Sequence, residues 1–92
     1  MSIRWTKSAA DDLTRICSFT SERFSPAQAR SVALAIYDAA ESLSALPSRG
    51  RSGRKPGTRE LVIAGLPFLI IYRIQQEAIE IIRILHGSQK WP

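Results

Sequence analysis

His86, Arg73, Arg83, Lys90 and Glu60 are the residues of this chain whose types suit catalysis without a metal. Such a set can run RNA cleavage, in which a base removes the 2′-hydroxyl proton, an acid protonates the leaving oxygen, and cations stabilise the crowded phosphate. Three of them also have a structural reading. His86 ends an apolar run just before Gly87, where a polar residue commonly does no more than close a strand. Arg73 has Glu80 as a cross-strand partner. Arg83 falls on a core-facing position and can snorkel or pair with a helix carboxylate such as Glu41. Other chemistries lack a motif, since there is no Gly-x-Gly-x-x-Gly, no Walker lysine loop and no His-Glu-x-x-His. One His and one Cys give no metal-ligand cluster, so no cofactor is expected. The single Cys17 excludes an intrachain disulfide, fits a reducing cytosol, and reads as a small core residue.

The charge is concentrated. Arg49, Arg51, Arg54, Lys55 and Arg59 lie in one Pro- and Gly-rich stretch, and together they equal the net charge of +5 for the whole chain. Such a surface favours nucleic acid, an anionic membrane or an acidic protein segment as partner. The stretch reads either as a solvated, mobile connector or as an anion-binding arm that contacts a target. Trp91, in the short tail after Gly87, either closes the core or touches that target.

These residues need a scaffold, and 92 residues allow one domain with one compact core. With 45% hydrophobic and 23% charged residues, the composition is that of a folded globular chain rather than a disordered tail. From Thr58 to Pro92, three segments rich in Ile, Val, Leu, Phe and Tyr are broken at Ala64-Gly65-Leu66-Pro67 and at Gln76-Glu77, which predicts a three-stranded antiparallel meander. If Gln76-Glu77 is a two-residue hairpin loop, opposed residues sum to 153. Ile74 then faces Ile79, Tyr72 faces Ile81 and Phe68 faces Leu85 on one side. Arg73 faces Glu80 on the other, beside Leu69, Ile71, Ile82 and Ile84. That second side is half apolar, and a cover for it is expected.

Upstream, Ile3 and Trp5 alternate with polar neighbours as a short edge strand does. Ala9, Leu13, Ile16, Cys17 and Phe24 trace the stripe of one amphipathic helix, capped by Thr6 or Ser8, with Asp11 and Asp12 favoured by the dipole of its first turns. Ser25-Pro26-Ala27-Gln28 starts a second, whose stripe runs through Ala29, Val32, Ala33, Ile36, Ala40, Leu43 and Leu46. The spacing predicts helices of about 16 and 21 residues, paired as an antiparallel hairpin across one side of the sheet. The fold class is therefore α+β, in the order β-α-α-β-β-β. The N-terminus has no hydrophobic signal core and no apolar run approaches about 20 residues, so a cytoplasmic protein without a membrane partner is expected.

This order, together with the phrases Gly50-Arg51-Ser52-Gly53-Arg54-Lys55-Pro56-Gly57-Thr58-Arg59-Glu60-Leu61, Phe68-Leu69-Ile70-Ile71-Tyr72-Arg73-Ile74 and Ile82-Arg83-Ile84-Leu85-His86-Gly87, resembles the RelE/ParE superfamily of bacterial toxins. The opening Trp5-Thr6-Lys7-Ser8-Ala9-Ala10-Asp11-Asp12-Leu13 resembles that superfamily's start, so the match spans essentially the whole chain. The resemblance implies the toxin of a type II toxin-antitoxin module. Its partner would be a small acidic antitoxin, of ribbon-helix-helix type, that folds as it wraps the toxin and binds operator DNA through its own domain. Leu69, Ile71, Arg73, Ile82 and Ile84 are then expected at the antitoxin interface. RelE-like members cut messenger RNA on the ribosome, whereas ParE-like members stall DNA gyrase and are not nucleases. The nuclease members commonly carry an Arg at the position held here by Leu69, and a basic-rich end where this chain has His86, Gly87, Ser88 and Gln89. Those departures favour the ParE-like branch.

Overall fold

The computed structural model describes residues 1–89. Its elements are β1 (Ser2–Trp5), α1 (Lys7–Arg23), α2 (Pro26–Ser42), β2 (Arg51–Ser52), β3 (Arg59–Val62), β4 (Phe68–Gln75) and β5 (Ala78–His86). The helices form a hairpin on one side of a five-stranded sheet of order β1-β5-β4-β3-β2. The α+β class and the element order match expectation, with β2 added from within the basic stretch. No helix among the described residues is long and apolar enough to cross a membrane.

Local chemistry explains the helix limits. The Thr6 hydroxyl accepts from the Ala9 N–H, Ser25 accepts from Gln28 N–H, and Pro26 occupies the first turn of α2. Lys7 donates to Asp11 at 2.9 Å and holds that exposed carboxyl below its usual range. The second helix ends at Ser42, short of the expected 21 residues, and Leu46 beyond it is exposed rather than part of the buried stripe. Phe24 also leaves its predicted stripe: it caps α1 and is 73% exposed.

The inner face buries Val32, Ile36, Ala40 and Leu43 of the helices against Leu61, Ile70, Tyr72, Ile79 and Ile81 of the sheet. Tyr72 is fully buried, yet its hydroxyl is satisfied twice, donating to the Pro47 carbonyl at 2.7 Å and accepting from the Gly50 N–H at 2.8 Å. A Cβ on Gly50 would lie 2.7 Å from the Tyr72 ring, so only glycine lets the chain approach this closely. Tyr72→Phe leaves both backbone groups without that partner. We expect a loss of about 1–3 kcal/mol, or roughly 4–8 °C per kcal/mol, measured by thermal melting.

The meander keeps the predicted register only at the hairpin end. Ile74 faces Ile79, Arg73 faces Glu80 and Tyr72 faces Ile81; beyond a bulge the register shifts, and Ile71 faces Arg83, Ile70 faces Ile84, Leu69 faces Leu85 and Phe68 faces His86. The expected pairing of Phe68 with Leu85 is therefore displaced by one residue, because the bulge inserts an extra residue in β5 and reverses the side on which later side chains fall. Ile84 moves into the inner core and Leu85 joins the outer side.

The bulge is held from α1. Thr6 donates its backbone N–H to Ile81 O at 3.1 Å and its hydroxyl to Ile82 O at 2.9 Å. Asp12 accepts from Ile84 N–H at 3.0 Å and from both Arg83 Nε at 2.7 Å and Nη2 at 3.0 Å, with Arg15 as a further donor. Arg83 thus pairs with Asp12 rather than with Glu41. This bond and the opposite charge raise the Arg83 pKa further. Asp12, expected only as a dipole-favoured residue of the first turns, is 4% exposed and is the hub of the junction.

Candidate functional site

A groove of about 330 Å³ opens where the end of α1 and the start of α2 meet the near ends of β4 and β5. Phe19, Phe24, Val32, Leu66, Pro67, Phe68 and His86 line it. Its apolar character follows from the helix hairpin. The tight link between α1 and α2 turns Phe24 outward, and Phe19, 55% exposed, lies five residues before it in the last turns of α1. Arg23 stacks over the Phe19 ring at 5.1 Å and places a cation at the rim. Large exposed apolar surface rimmed by charge is the character of a docking site for another chain.

His86 forms one wall. Its ring meets Phe68 edge to face with centroids 5.8 Å apart, and its Nδ1 accepts from the Ser88 backbone N–H at 3.2 Å. The Ser88 hydroxyl lies 2.8 Å from the same nitrogen. His86 is therefore built into the turn that ends β5 while it lines the groove.

The remaining candidates for RNA cleavage are not gathered around it. Arg73 is ion-paired with Glu80 at 2.6 Å, five residues along β4 from Phe68, the residue opposite His86, which separates the two by roughly 17 Å. Arg83 is engaged beneath α1 by Asp12. Glu60 is 3% exposed and accepts from Arg51 Nη2 at 3.3 Å and from Arg54 N–H at 3.0 Å. Lys90 and Trp91 lie outside the described residues.

The basic stretch is an ordered hairpin rather than a mobile connector. Buried Glu60 draws in Arg51 and Arg54, Arg49 donates to Ser42 Oγ at 2.6 Å, and Arg59 donates to Gly50 O at 2.8 Å. Four of the five cations thus spend donors on the fold, yet the Arg51 and Arg54 side chains remain 63% and 48% exposed. Lys55 is exposed at the tip. The sequence signal for this clamp was Glu60 itself, a lone carboxylate in a run of cations.

The outer side of the sheet corrects a second expectation. Leu69, Ile71 and Leu85 pack together with Ile82 and are 5%, 0% and 1% exposed. Ile84 is on the opposite side. Arg54 Nη1 donates to Gln89 O at 3.4 Å. Leu69 and Ile71 therefore offer almost no surface to an antitoxin, and of the expected interface set only Arg73 is exposed, with Ile82 half-buried.

The model of the ParE toxin of the type II toxin-antitoxin system parDE matches residues 3–91. The chain belongs to the ParE toxin family. Among relatives of this ParE-family chain, the toxin Y4kP of Sinorhizobium fredii is 40% identical over 90 residues, covering 98% of this chain and 92% of that protein. Toxin RelE2 of Caulobacter vibrioides is 38% identical over 85 residues, covering 92% and 93%. A chain from the chromosomal ParDE system of P. aeruginosa superposes with a TM-score of 0.89 at 30% identity, over 94% of this chain and 95% of that one. As a ParE-family protein, the chain is a toxin of the type II class.

Proposed function

We propose that this toxin arrests growth by acting on DNA gyrase without cutting nucleic acid itself, and that an acidic antitoxin neutralises it in the cytoplasm. The supporting observation is the scatter of the RNA-cleavage set. Arg73, Arg83 and Glu60 are each committed to a structural partner, and the position where nuclease relatives carry an Arg is Leu69, buried and apolar. General acid-base chemistry needs its groups within hydrogen-bond reach of one substrate. His86 alone does not meet that need.

The groove is assigned to the antitoxin in this reading, because it carries the exposed aromatics Phe19 and Phe24 and Arg23 at its rim complements an acidic chain. The basic hairpin, with Arg49, Arg51 and Arg54 held by the fold and Lys55 exposed at its tip, is assigned to the anionic gyrase–DNA target. Operator DNA is reached only through the antitoxin.

The test is purified toxin with gyrase, plasmid DNA and ATP, run beside a translating extract with a reporter messenger. Trapped linear plasmid that accumulates with toxin is the expected result. Cuts in the messenger that require ribosomes and vanish in His86→Ala overturn it in favour of the nuclease reading, which the RelE2-named relative makes the natural competitor.

A further inference from the structure

Helix α2 has a second exposed face, distinct from the groove and from the buried stripe. Arg30, Leu34, Tyr37 and Glu41 are spaced by four, three and four residues, which puts them on one strip roughly 60° wide. All four are exposed, Leu34 at 56% and Tyr37 at 49%. An exposed leucine beside an exposed tyrosine, between a cation and an anion, is a surface arranged for contact.

We infer that this strip is where two copies of the chain pair. In a two-fold contact between antiparallel copies of one helix, the numbers of facing residues have a constant sum. Here Leu34 and Tyr37 sum to 71, and so do Arg30 and Glu41. Leu34 of one copy meets Tyr37 of the other, and Arg30 of each meets Glu41 of the other, twice over. The flanking pair under the same sum is Ala33 with Asp38, so no like charges face each other and a small residue gives the helices close approach.

Charge selects this occupant over an acidic chain or nucleic acid. The only charged residues of α2 are Arg30, Asp38 and Glu41, a local charge of −1 in a chain of +5. With Arg30 matched by Glu41 and Asp38 beside them, that face gives no net attraction to an acidic antitoxin or to phosphate. A single helix pair is a small interface, so the association is weak and concentration-dependent.

Sedimentation of the purified chain near physiological salt tests this. The expected result is a mass that rises with concentration from 10.2 kDa toward twice that value. Leu34→Glu is expected to weaken the association at least tenfold without shifting the melting temperature. Glu41→Arg alone and Arg30→Glu alone are each expected to stay monomeric, whereas a mixture of the two restores a dimer containing one copy of each. A wild type that is monomeric throughout, or a dimer untouched by the charge reversals, overturns the inference. So does a monomer whose Leu34→Glu variant loses antitoxin binding, since that gives the face to another partner.

Discussion

Asp12→Ala is expected to lower stability by about 3 kcal/mol, the largest effect of any single substitution considered for this toxin. The carboxylate is 4% exposed, and three groups depend on it: the Arg83 guanidinium, the Arg15 guanidinium and the Ile84 N–H. Removal leaves Arg83, whose side chain is 21% exposed, without its partner, and leaves a buried backbone donor without an acceptor. A domain of this size holds only on the order of 5–15 kcal/mol, so the loss is a large share of the total. Melting should fall by about 12–24 °C, and the urea midpoint should fall with little change in slope. Asp12→Asn keeps an acceptor for Ile84 and should lie between the two. Adding Arg83→Met to Asp12→Ala should recover part of the loss, because no unpaired charge then remains beneath the helix. A fall below about 1 kcal/mol for Asp12→Ala, or no recovery in the double variant, would show that the bulge does not depend on this junction.

Phe24→Asp should have the second largest effect, on binding instead of folding. Phe24 is 73% exposed and Phe19 is 55% exposed, so replacing either removes little buried area and should leave melting unchanged. Aromatic anchors at an interface are commonly worth about 2 kcal/mol, which is roughly thirtyfold in affinity. The introduced carboxylate adds repulsion toward an acidic antitoxin. Titration calorimetry with the cognate antitoxin should therefore give an affinity at least thirtyfold weaker, and co-expressed antitoxin should no longer relieve growth arrest. Val62→Asp is the control. Val62 is 55% exposed on the outer side of the sheet, next to Leu69, and its substitution should leave antitoxin affinity unchanged. The opposite pattern, with Val62→Asp harmful and Phe24→Asp silent, returns the antitoxin to the outer side.

These two sites differ in how far they were legible beforehand. The groove contains residues that the helix stripe and the strand ends bring near one another, but the spacing of the stripe puts Phe24 in the core. Helical spacing describes a residue only while the helix lasts, and α1 ends at Arg23. The Asp12–Arg83 pair had a signal that was read only in half. Arg83 is a charge on a core-facing position, and Asp12, three residues after buried Ala9, sits just as awkwardly beside the apolar stripe of α1. Two opposite charges on two buried faces are expected to find each other.

By itself, the amino-acid sequence determined the N-caps of both helices and most of the face each buries, the edge position of β1, the hairpin at Gln76-Glu77 and the family phrases in their order. These are carried by periodicity and by backbone chemistry within a few residues, which no distant contact has to supply. Only the tertiary structure decided the bulge in β5 and the gathering of the basic hairpin around Glu60. Each of these turns on which remote group satisfies a buried charge or a freed N–H. Asp12 and Ile84 are 72 residues apart in the chain, and nothing local to either one specifies the other.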